Sequence, residues 1–141
     1  MTVPRVMLLN SALAGSLAAA PDWYAPFRSH NRVLLVFAPS ESDRDLAAQR
    51  AALHPGSAGH AERDLVTIEV IGNHADDGRV GARTLRRAYG VAPCEFTVVL
   101  MGKDGGEKWR QRHPVTEAAL FATIDAMPMR RNEMSRRTEP K

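Results

Sequence analysis

Arg32-Val33-Leu34-Leu35-Val36-Phe37-Ala38-Pro39 is the stretch on which the fold turns. Five consecutive large apolar side chains without polar alternation suit a strand covered on both faces, and such a strand needs a layer above and below its sheet. Ala38-Pro39 ends it. Downstream, Ser40 and Ser42 both offer N-caps to a first helix reaching Leu53, with Asp45 three residues after Ser42 and with Leu46 and Leu53 on one face. Residues 54–59 break the chain, and Leu65-Val-Thr-Ile-Glu-Val-Ile71 is a β-branched second strand. A strand, one helix and a second strand make a right-handed βαβ unit with parallel strands.

Beyond that unit, residues 72–81 form a polar loop and residues 82–89 a short helix. Its Leu85 and Tyr89 face inward, while Arg83, Arg86 and Arg87 share the opposite side, and Gly90 supplies a left-handed C-terminus. Residues 96–101 read as a third strand. Gly102-Lys103-Asp104-Gly105-Gly106 is hairpin-turn chemistry leading into Glu107-Lys108-Trp109-Arg110, so strands three and four are antiparallel. Trp109 reads either as core or as an edge aromatic. Thr116 caps a last helix with Leu120, Phe121, Ile124 and Met127 on one stripe, ended by Pro128. The expected architecture is an α/β domain over residues 32–128, its mixed four-stranded sheet combining two parallel strands with an antiparallel hairpin, flanked by helices.

With 141 residues, 44% apolar and 25% charged, the chain is the size of one globular domain. Its formal charge is +3, and residues 130–141, with five basic against two acidic side chains, carry that whole excess. A neutral body lacks the clustered positive surface of a nucleic-acid binder; residues 129–141 read as a solvated basic tail that is the one candidate contact. Cys94 is the single cysteine, which excludes an internal disulfide, a two-thiol redox centre and a multi-cysteine zinc site. At the other end, Arg5 precedes an apolar run, residues 6–20, that exits through small residues. Residues 1–18 therefore read as a signal peptide cleaved before Ala19, too short to span a bilayer, and place the protein in the periplasm or outside the cell. The alternative is a weak N-terminal helix on a cytoplasmic protein. Residues 19–31 form a lead-in whose Trp23, Tyr24 and Phe27 pack against the domain.

The order of elements is that of the thioredoxin fold, and the resemblance reaches residues. Tyr89-Gly90-Val91, Thr97-Val98-Val99-Leu100 and Lys103-Asp104-Gly105 resemble the corresponding thioredoxin stretches. Two departures are decisive. Thioredoxins carry Cys-x-x-Cys where a helix N-terminus stabilises a thiolate, whereas this neighbourhood reads Ser40-Glu41-Ser42-Asp43-Arg44-Asp45, whose carboxylates discourage an anionic ligand. The thioredoxin cis-proline is also replaced: Phe96 precedes Thr97, and a trans peptide is expected there. More specifically, residues 32–40, 95–108 and 124–131 resemble the thioredoxin-like family of unknown function DUF4174. Its members occur in bacterial proteins, many exported, and in animal extracellular-matrix and sushi-repeat proteins. The resemblance implies a fold and a life outside the cytosol, and lends no reaction.

Candidate chemistry is sparse. Cys94 would need a nearby cation or helix end to become a nucleophile, and Pro93 and Glu95 supply neither. His74, Asp76 and Asp77, with His54 and His60, have metal-ligand side chains but no recognised ligand spacing, so no metal or other cofactor is expected. Ser40, Ser42 and Thr97 lack identifiable triad partners. Lys103-Asp104-Gly105-Gly106 is a turn, not a phosphate loop. Arg83, Arg86 and Arg87 form a basic helix face able to dock a carboxylate-rich or phosphorylated partner, or simply the wet side of an amphipathic helix. The reading that follows is an exported, non-redox thioredoxin-like module that binds a protein or extracellular-matrix partner. Its rivals are a monothiol oxidoreductase or peroxide-reactive protein using Cys94, and acidic-surface or nucleic-acid contact through the tail.

Overall fold

The computed structural model describes residues 22–76, 78 and 80–138; the expected signal segment lies outside them. After a 3₁₀ turn at Asp22–Tyr24 the chain runs through β1 (Arg32–Ala38), α1 (Arg44–Ala52), α2 (Ala58–Glu62), β2 (Leu65–Ile71), β3 (His74–Ala75) and α3 (Ala82–Tyr89). It continues through β4 (Thr97–Met101), β5 (Glu107–Gln111), α4 (Glu117–Asp125) and α5 (Pro128–Thr138). The strands form one sheet in the order β3-β2-β1-β4-β5. β1 lies at its centre, parallel to β2 from Arg32↔Leu65 to Ala38↔Ile71 and antiparallel to β4.

Every residue of β1 is buried. Because side chains alternate across a strand, Val33, Leu35 and Phe37 enter one core layer with Tyr24, Val70, Leu85 and Tyr89. Leu34, Val36 and Ala38 enter the other with Leu46, Val98, Leu120 and Ile124. The unbroken apolar run is thus the sequence of a strand with two dry faces, each large side chain contributing about 1.5–3 kcal/mol by leaving water. The lead-in belongs to the first layer: the Tyr24 hydroxyl donates to the carbonyls of Asn31 and Gly102 at 2.9 and 2.7 Å, pinning residues 22–31 to the β4–β5 turn. Trp109 is half-buried against the second layer.

The sheet has five strands, not four. Gly72 adopts φ +55, a left-handed conformation, and folds the chain back so that Ala75 pairs with Val70 and His74 with Ile71. Ala75 is buried, a role hidden among the polar residues of what read as a loop. Helix boundaries also differ. α1 is capped by Asp43, whose carboxylate accepts from the Leu46 amide at 3.1 Å, while Ser40 and Ser42 contact each other through their hydroxyls. The segment read as a break, residues 54–59, runs into α2, which begins at Ala58 and whose His60 is buried. Among the described residues no peptide bond is cis, Glu95–Phe96 included, and Gly90 is left-handed at φ +65 as expected.

The largest correction concerns residues 129–138 of the expected tail. They are not solvated coil: Pro128 opens a helix instead of ending one, a position where its missing N–H costs nothing. A search for apolar periodicity misses α5 because polar side chains dock it. Arg130 is completely buried, giving hydrogen bonds to Asp125 at 3.0 Å, to Glu62 at 2.8 Å and to the Glu62 carbonyl at 3.1 Å. Glu133 accepts from Arg32 at 3.1 and 3.3 Å and from Lys103 at 2.7 Å. Arg63 binds Asp125 through both carboxylate oxygens at 3.0 and 2.8 Å. Burial opposes ionisation of Glu133, but Lys103 and Arg32 hold its carboxyl below the usual range. Hydrogen bonds from Arg63, and then Arg130, do the same for Asp125. Replacing Arg130 with methionine should therefore lower unfolding free energy by about 3 kcal/mol in urea melts, because it leaves carboxylates ordered around a missing charge. A change under about 0.5 kcal/mol would return α5 to the status of a loose tail.

Candidate functional site

The carboxyl ends of the parallel strands β1 and β2 open onto two clefts on either side of Gly72. One, of about 430 Å³, is lined by Gly72, Asn73, Arg83, Arg86, Arg87 and the segment from Gly90 to Pro93. The other, of about 550 Å³, includes Glu41, Arg50, Glu69, His74 and Asp76. In open α/β sheets ligands bind outside such strand ends, where backbone carbonyls and loop residues are free of the sheet ladder.

The three arginines share α3 but not a solvent-facing side. Ala82, Leu85, Arg86 and Tyr89 recur at i, i+3, i+4 and i+7 and are all buried, so Arg86 is on the core stripe, while Arg83 and Arg87 are exposed. The Arg86 guanidinium sits over the Phe37 ring, 5.8 Å from its centroid. One terminal nitrogen donates to the carbonyls of Ala38 at 2.7 Å and Val70 at 3.4 Å, the other to that of Ala92 at 3.1 Å. Arg86 thereby ties the ends of β1 and β2 to the loop before β4. Its Nε has no hydrogen-bond partner, and no carboxylate among the described residues pairs with Arg83, Arg86 or Arg87. Desolvation lowers the pKa of Arg86, the mark of a charge buried without a counter-ion. Chemically, the cleft presents one buried and two exposed guanidinium groups, with apolar Val91, Ala92 and Pro93 beside them.

The acidic cleft holds one guanidinium among three carboxylates and binds two of them to it. Arg50 donates to Glu69 at 2.8 and 2.9 Å and pairs with Glu41 at 2.9 Å, hydrogen bonds that raise its pKa further. Asp76 accepts from the Glu69 amide at 3.2 Å.

The remaining candidate residues fall elsewhere. Cys94 is exposed, one residue past Pro93 at the cleft margin. The Thr97 hydroxyl donates to the Phe96 carbonyl at 2.8 Å, and Lys103 is held by Asp64 and Glu133 at 2.8 and 2.7 Å, so neither is available for a triad or a phosphate. His74 lies 3.9 Å from Asp76 on an exposed hairpin, apart from the other histidines, and Asp77 lies outside the described residues. His54 and His60 do converge, but on Glu117, one on each carboxylate oxygen at 2.8 and 3.4 Å. Among the described residues there is no group of three or more such side chains placed to hold a metal ion. Glu117 was invisible as a partner, since in sequence it is only the first-turn acid of α4.

Two predictions follow from this geometry. Arg86→Met should cost about 2 kcal/mol by stranding buried carbonyls, whereas Arg83→Ala and Arg87→Ala should each stay within about 0.5 kcal/mol in denaturant titrations. Equal costs at all three positions would contradict their different burial. His60 is buried edge-on to Phe121 at 5.3 Å, and desolvation lowers its pKa from 6.5 against the pull of Glu117, with His54 and Arg63 adding to the lowering. The unfolded chain then takes up the proton first, so the stability His60 confers is complete above pH 6.5 and is lost as pH falls below it. Melting temperature should drop between about pH 6.5 and pH 5, above the range where carboxylates titrate, and His60→Asn should flatten that drop.

Comparison with known proteins adds relatives to this geometry. The family described as domain of unknown function DUF4174 matches residues 24–133. The chain is 29% identical over 118 residues to sushi repeat-containing protein SRPX2 of Xenopus laevis, covering 77% of this chain and 26% of that protein. It is 27% identical over 122 residues to human SRPX2, covering 80% and 26%, and 29% identical over 142 aligned positions to human SRPX, covering 94% and 30%. The chain thus spans under a third of the length of these relatives.

Proposed function

We propose that this chain, which belongs to the DUF4174 family, is a binding module: a thioredoxin-like scaffold without thiol chemistry, exported from the cytosol, that docks a protein or matrix partner at the carboxyl-end clefts. The observation that carries the reading is the N-terminus of α1. A redox thiolate there would draw on free helix amides and the positive end of the macrodipole. Asp43 already occupies that place with a carboxylate bonded to the Leu46 amide, and Asp45 adds a second acid in the first turn. An anion brought to this end would meet two negative charges.

The scaffold half of the proposal is supported by the mixed sheet, in which β2 and β4 flank β1 in parallel and antiparallel sense, and β5 pairs with β4 through a tight turn. Export is supported by the charge and apolar pattern of residues 1–18 and by similarity to sushi repeat-containing proteins. None of the described helices is long and apolar enough to cross a membrane. Arg83, Arg86 and Arg87 are the proposed binding residues. Mixed with insulin and dithiothreitol, the protein should leave insulin reduction at its uncatalysed rate, and Cys94→Ser should behave identically. Clear acceleration that disappears in Cys94→Ser would replace the binding module with a monothiol oxidoreductase.

A further inference from the structure

We propose that the cleft between α3 and Gly72 binds a peptide carboxylate, with Arg86 as its fixed charge and Arg83 and Arg87 as closing arms. The inference rests on the binding-module reading and names the chemistry of its ligand. Three observations carry it. First, the charged residues that line the cleft, among the described residues, are three arginines, and the neighbouring carboxylates Glu41 and Glu69 are bound by Arg50. Second, Arg86 is 5% exposed, its partners are neutral carbonyls and its Nε donor is unused. A buried cation of this kind is compensated when an anion enters beside it. Third, Arg83 stands in the first turn of α3, where the helix dipole disfavours a cation, and lies at i,i+4 from Arg87, where like charges repel. Helix stability opposes the placement of Arg83, and an anion shared with Arg87 offsets both costs.

The shape of the cleft narrows the anion. At about 430 Å³ it is far larger than an inorganic ion needs and falls within the range of small-ligand sites. Val91, Ala92 and Pro93 give it an apolar wall and Asn73 an amide that can donate and accept. A carboxylate received by the guanidinium forks, with an apolar residue against that wall, matches this lining. The carboxylate can come from a chain terminus or from an acidic side chain; the cleft chemistry is the same.

Titration calorimetry at low salt separates these sources. The probes are an acetylated pentapeptide with an apolar last residue and a free C-terminus, its C-terminal amide, the amide with one internal glutamate, and inorganic phosphate. The expected result is binding of the free acid, the glutamate peptide or both, about tenfold tighter than the plain amide, weakened about tenfold in Arg83→Gln/Arg87→Gln. That double variant keeps the buried Arg86 and so its fold; Arg86→Lys, which retains charge but not the fork, should bind more weakly than wild type. Binding of the free acid and of the glutamate peptide no tighter than that of the plain amide, no binding of any peptide, binding of phosphate alone, or unchanged affinity in the double variant would overturn the proposal. Those results would leave the insulin assay untouched, so the ligand class can fail while the non-redox module stands, and the reverse.

Discussion

The two-sided burial of β1 is the constraint from which the other features descend. A strand with no wet face must be hydrogen-bonded on both edges and roofed on both sides. β2 and β4 satisfy the edges. The lead-in and α3 roof one side, α1 and α4 the other. Because β1 and β2 are parallel, their carboxyl ends emerge together, and the same roofing that dries Phe37 brings Arg86 across its ring to the carbonyls where the strands stop.

Among the described residues three arginines are buried, and their surroundings differ in kind. Arg32 and Arg130 are enclosed with Glu133, Asp125 and Glu62, so their desolvation is offset by short charged hydrogen bonds, and α5 is fastened through them. Arg86 has only carbonyl dipoles. Such dipoles satisfy hydrogen bonds without cancelling charge, which separates a structural clamp from a group whose field still reaches into a cleft. The electrostatics of the molecule are thus divided: a paired network near α5, an acidic cleft in which Arg50 binds two carboxylates, and an unbalanced basic cleft on α3.

Much of this was legible in the chain. Local rules sufficed for the apolar run of β1, the β-branched β2, the glycine turn before β5, the Thr116 cap and the left-handed Gly90, because each depends on a few neighbouring residues. The reading failed where the deciding partner is remote. β3 needed Gly72 to turn Ala75 back onto Val70; α5 needed Glu62 and Arg32, dozens of residues away, to hold Arg130 and Glu133. Among the candidate site residues, Arg83, Arg86 and Arg87 were correctly grouped on one helix, yet Arg86 was assigned to the wrong side of it.

By itself the sequence determined the parallel pair and hairpin around a dry central strand, the single thiol, and the carboxylates at the start of α1, all properties of residue type and short spacing. Only the tertiary structure decided which charges meet an opposite charge. An arginine on a helix is soluble decoration or a buried cation depending on a rotation of about 100° per residue and on what packs against it. That choice is made by side chains brought together from distant parts of the chain, and no local pattern records it.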